Sequence, residues 1–137
     1  MDINKIFELF SDQSEDGNEV IKFKEHPLYW IALAHKLYYK HNIFSEKVIN
    51  IFSNVQPKLD MDDVKKAGNY VIYVRCWEYL SKLDLTNYEQ TDILKTYSLE
   101  KTDFIEFVTS LLLFFESYEE YEKCITLKNI SDVLKTS

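Results

Sequence analysis

The residues of this chain that could do chemistry fall into four small sets. Asp12, Ser14, Asp16 and Gly17 repeat the opening of a calcium-binding EF-hand loop. Clustered oxygens suit a hard cation, and the glycine permits the sharp turn that such loops need. The second half of the pattern departs from it, because Glu19 and Phe23 stand where an apolar residue and a bidentate glutamate are required. Asp12, Ser14 and Asp16 are thus a weak calcium candidate, and a polar acidic turn accounts for them with less machinery.

His26, His35 and His41 are never three or four residues apart, so no two share a helix face in metal-ligand register. Each reads as a structural histidine. Cys76 and Cys124 lack any CxxC or metal spacing and read as buried free thiols, which fits a reducing compartment. No nucleophile elbow, catalytic-cysteine signature or phosphate-cradling loop is present, and the chain has only two glycines, Gly17 and Gly68. The acid clusters Asp60, Asp62, Asp63 and Glu119, Glu120, Glu122 sit at expected helix starts, where the helix dipole explains them. The expectation is therefore no enzyme, no cofactor and no metal.

The elements that would hold these residues are set by composition. The chain of 137 residues is 46% hydrophobic and 15% aromatic, enough for one core and too short for two stable domains. Its formal charge is −7 and its single arginine is Arg75. Nucleic-acid binding needs a basic footprint, so direct DNA or RNA contact is not expected. The longest uncharged apolar run, 107–115, is too short to span a bilayer, and the acidic N-terminus does not resemble a signal peptide. A cytoplasmic protein is expected.

Two glycines and two prolines leave little turn chemistry for a β meander. The pattern predicts an all-α, single-domain bundle (1–137) of six or seven helices, with an extended segment conceivable near 20–24. Asp2 caps a first helix bearing Ile3, Ile6, Phe7 and Phe10. Pro27 opens a second with Trp30, Leu33, Ala34, Leu37 and Tyr38 inward. Ser45 caps a third, with Val48, Ile49 and Phe52, that ends before Pro57. Asp60 starts the longest, with Val64, Ala67, Val71 and Val74 on one face and Ile72, Cys76, Tyr79, Leu80 and Leu83 widening it. The β-branched run 70–74 could also read as a buried strand, but its flanks are helical. Helices near 87–97, 102–116 and 118–135 complete the bundle, with Ser117 and Glu120 forming a capping box at the last break.

The stretch YEKCITLKNISDVL, 121–134, resembles the second helix of the UVR motif, the helical hairpin of UvrB, UvrC and McsA-type adaptors. Tyr121, Glu122, Cys124, Ile125, Leu127, Lys128 and Leu134 take the motif positions, and Asn129 replaces its aspartate. Such hairpins pair with another helical hairpin, so the resemblance implies protein docking. The function expected is a non-enzymatic interaction or regulatory module, with Tyr118, Glu119, Glu120, Tyr121 and Glu122 as partner-binding residues. The alternative is an acidic inhibitor, immunity or phage anti-defence protein that blocks a basic nucleic-acid-processing enzyme. The expected partner is another protein with a basic surface, and a homodimer is also open.

Overall fold

The chain is represented by a computed structural model that describes residues 22–55 and 60–136. Among the described residues five long helices follow one another: α1 (Pro27–Val55), α2 (Met61–Leu80), α3 (Tyr88–Glu100), α4 (Phe104–Ser117) and α5 (Tyr121–Lys135). The fold is all-α, and no strand occurs among the described residues. Residues 22–24 form a helical turn, so the extended segment conceived there is not observed for them. The proposed first helix and the calcium candidate Asp12, Ser14 and Asp16 lie outside the described residues.

The helices assemble as two hairpins with α3 between them. α1 and α2 run antiparallel: Gly68 lies beside His41, Tyr73 donates to Asn42 (3.1 Å), and Cys76 Sγ meets the Ala34 carbonyl (3.3 Å). α4 and α5 form the second hairpin, and α3 touches α1, α4 and α5. One apolar core joins them, filled by Ile31, Leu80, Leu94, Phe104, Phe107, Leu111, Phe115, Leu127 and Ile130. Nine such side chains, each stabilising by about 1.5–3 kcal/mol on burial, contribute part of the gain that works against the entropy of ordering the chain.

Local sequence explains most of the boundaries. The Asp60 carboxylate accepts from the Asp62 amide (3.1 Å) and caps α2, whose first turn also carries Asp62 and Asp63. Asn87 caps α3 through the Gln90 amide (3.2 Å). The run 70–74 is helical, as its flanks implied.

Two expectations fail for identifiable reasons. The second and third helices are one helix of 29 residues, and Ser45 lies inside it rather than capping a new start. The polar pair His41–Asn42, just before Ser45, bonds between helices. His41 Nε2 meets Asn69 Oδ1 at 2.8 Å, and Asn42 accepts from Tyr73. With no glycine or proline between 28 and 56, nothing else stops the helix. The stripe assigned to α2 is covered only in part. Val64, Ala67 and Val71 are exposed, while Tyr73, Cys76 and Leu80 are buried. The buried residues of α2 all lie in its C-terminal half, and among the described residues no helix covers Val64, Ala67 and Val71.

Candidate functional site

The five residues expected to bind a partner lie at the joint between α4 and α5, and the structure divides them. Glu119 has φ 58, the left-handed region that non-glycine residues rarely enter. Its amide donates to the Glu116 carbonyl (3.0 Å) and the Glu120 amide to the Phe115 carbonyl (3.0 Å). That pair of bonds is a Schellman motif, which ends α4 and reverses the chain. The expected capping box is not formed. Ser117 is the last residue of α4 and its hydroxyl donates back to the Phe114 carbonyl (2.6 Å), while Glu120 makes no side-chain cap bond.

Glu120 is instead engaged with α2. Its Oε1 accepts from the Tyr70 hydroxyl (2.8 Å) and faces Lys123 Nζ at 3.5 Å. The hydrogen bond to Glu120 raises the Tyr70 pKa above the ordinary phenol value, because it stabilises the protonated hydroxyl. Tyr118 packs at a tilt against Phe114 and Tyr70, with centroids 4.9 and 5.5 Å away. Lys123 lies over the Trp77 ring at 4.8 Å. Glu120, Lys123 and one side of Tyr118 therefore fasten the second hairpin to α2, while Tyr118 is still 42% exposed.

Glu119, Tyr121 and Glu122 remain open to solvent, with Tyr121 62% exposed. Two residues not among the expected partner-binding set join them on the same hairpin: Leu113 and Ile125, each 60% exposed. Within the UVR-like stretch, Cys124 and Leu127 face the core and Leu134 packs against it, while Tyr121 and Ile125 face outward.

A second constellation was not legible from spacing. His35, on α1, is buried among Tyr39, Tyr97, Phe104 and Phe107. Its Nδ1 shares a 2.7 Å hydrogen bond with the Tyr97 hydroxyl on α3. Its Nε2 stands 3.4 Å from Asp103 Oδ1, just before α4, and Asp103 also accepts from the Tyr39 hydroxyl. A carboxylate on the Nε2 side favours the tautomer with its proton there, leaving Nδ1 to accept from Tyr97. Burial lowers the His35 pKa, against an upward pull from Asp103 and with a further downward push from Lys101. The Tyr39 pKa is pushed up to about 12, chiefly by its hydrogen bond to Asp103. Burial likewise raises that of Tyr97, with Asp103 and Tyr39 adding to it.

These phenols are thus held protonated and poor as nucleophiles. A cleft of about 260 Å³ opens beside the cluster, bounded by Tyr38, Tyr39, Asn42 and Glu106 among others. Another, of about 390 Å³, borders Tyr97 with His26, Ile93 and Glu100. The cluster works as a tie between α1, α3 and the start of α4, three elements remote in sequence.

The cysteines are both reduced. Burial pushes the Cys76 thiol up to about 12 and raises that of Cys124 as well. Among the described residues no group of three or more His, Cys, Asp or Glu is arranged to hold a metal ion, and no helix is long and apolar enough to cross a membrane. Comparison with family models, curated proteins and solved structures gives no match for this chain.

Proposed function

We propose that this all-α protein is a non-enzymatic interaction module that docks another protein through the outer face of the α4–α5 hairpin. The observation that carries this reading is the contrast between the two sides of that hairpin. Its inner side is fastened to α2 by Tyr70–Glu120 and Lys123–Trp77, while its outer side exposes Leu113, Tyr121 and Ile125. Apolar and aromatic side chains held on a braced helix pair lose little freedom on binding, which favours affinity. The resemblance of 121–134 to the UVR motif, itself a docking hairpin, supports the same assignment.

Glu116, Glu119 and Glu122 are exposed on this hairpin, so the partner is expected to be basic at its rim. Residues 78–122 carry eleven acids against three lysines, which concentrates the negative charge of the chain in this half. That concentration favours the second reading, an acidic inhibitor that occupies the basic site of a nucleic-acid-processing enzyme. Both readings use the same surface and differ in how strongly charge contributes.

Affinity capture with the purified full chain tests the proposal. Tyr121→Ala with Ile125→Ala is expected to weaken capture of a specific partner by about tenfold or more, with the helical circular dichroism signal unchanged. Partners retained at full strength by this variant would remove the α4–α5 face from the proposal. Raising the salt concentration separates the two readings: steep loss of binding marks the acidic inhibitor, and weak dependence marks apolar docking.

A further inference from the structure

The α1–α2 hairpin reaches beyond the core. The last buried residue of α1 is His35 and the first of α2 is Tyr73, so neither 42–55 nor 61–72 contains a buried side chain. Yet this arm is rich in large apolar groups. Phe44, Val48, Ile51 and Val55 recur at spacings of four, three and four, the pattern of a coiled-coil seam with valines at alternate positions. Phe44, Ile51 and Val55 are 67%, 61% and 70% exposed. On α2, Val64 and Val71, seven residues apart, are 49% and 65% exposed.

Helical periodicity places both stripes on one side of the hairpin. The core-facing residues of α1 are Ile31, His35, Tyr38 and Asn42, and the seam lies nearly opposite them. On α2, Tyr70, Tyr73 and Trp77 meet the second hairpin, and Val64 and Val71 lie away from it. The two stripes therefore form one outward apolar face running along both helices.

We infer that this face joins two copies of the chain, hairpin on hairpin, as a two-fold dimer. Two features of the arm point to a like copy rather than to the basic partner expected elsewhere. A seam of this spacing interlocks with another of the same spacing, the side chains of each seating between those of the other. The charge is also balanced locally. Residues 43–55 and 60–75 carry four acids and four bases, whereas the whole chain carries −7. A basic partner is drawn to the acidic half, and the neutral arm meets its own copy without repulsion. Two hairpins placed face to face make a four-helix bundle, and a two-fold axis uses the same patch on both copies.

Light scattering or sedimentation of the full chain over a range of concentrations provides the test. The mass is expected to rise from monomer to dimer, and added salt is expected to leave the association unchanged or strengthen it. Phe44→Glu with Ile51→Glu places charge at two exposed seam positions and is expected to weaken dimerisation by ~30-fold or more while helicity is retained. Val71→Lys, on the other helix, is expected to weaken it too, which keeps the test open if the double variant misfolds. Tyr121→Ala should leave the dimer intact, separating this face from the α4–α5 surface. A chain that stays monomeric at every concentration overturns the inference. So does a dimer indifferent to the arm substitutions.

Discussion

His35 shows how a single side chain gains its properties from residues it does not neighbour in sequence. Isolated, it is one of three scattered histidines. In the fold it is 5% exposed and bridges Tyr97 and Asp103. Burial is the main cause of its lowered pKa, so the unfolded chain takes up a proton more readily than the folded one. The contribution of His35 to pH dependence follows with a definite sign. Stability is full above the unfolded value of about 6.5 and falls as pH drops from there toward the depressed folded value. Urea titrations at neutral and mildly acidic pH should show this decline, and His35→Gln should flatten it. An equal slope in wild type and variant would remove His35 from this account. The Asp103 and Tyr97 partners could not be read from spacing.

At the level of the helices, capping chemistry was legible where it is local. Asp60 and Asn87 cap as their side chains and positions imply, since the bond closes within two or three residues. The α4–α5 break was also placed within a few residues, but its mechanism differs: a left-handed Glu119 in a Schellman turn, not a Ser117–Glu120 box. A non-glycine residue in this conformation costs about 1 kcal/mol. Glu119→Gly is therefore expected to raise unfolding stability by roughly 0.5–1 kcal/mol, partly offset by the freer unfolded chain. Chemical denaturation would measure it, and a loss of stability would mean that the Glu119 side chain contributes more than its strained backbone costs. The merging of the second and third predicted helices has the opposite lesson. Polar residues in a helix can signal a break or an interhelix bond, and His41 and Asn42 turned out to serve the second role.

On the scale of the whole molecule, the two free thiols report on cooperativity. Cys76 belongs to the first hairpin and Cys124 to the second, and both pack against the same core. Burial keeps both protonated, so a thiol reagent should modify neither in the native protein at neutral pH. In rising denaturant both should become reactive in one transition that coincides with loss of helicity. Separate transitions for the two would show that the hairpins unfold independently.

The helical class, the positions of most helices and the burial of both cysteines followed from sequence, because they depend on local propensity and on a 3.6-residue apolar period. Which apolar stripes would be covered did not. Val64 and Val71 have the spacing of core residues, and Tyr121 the type of one, yet all three are exposed because no other described helix lies over them. Periodicity states that a face is apolar. Only the tertiary arrangement decides whether the molecule itself covers that face or leaves it for another chain.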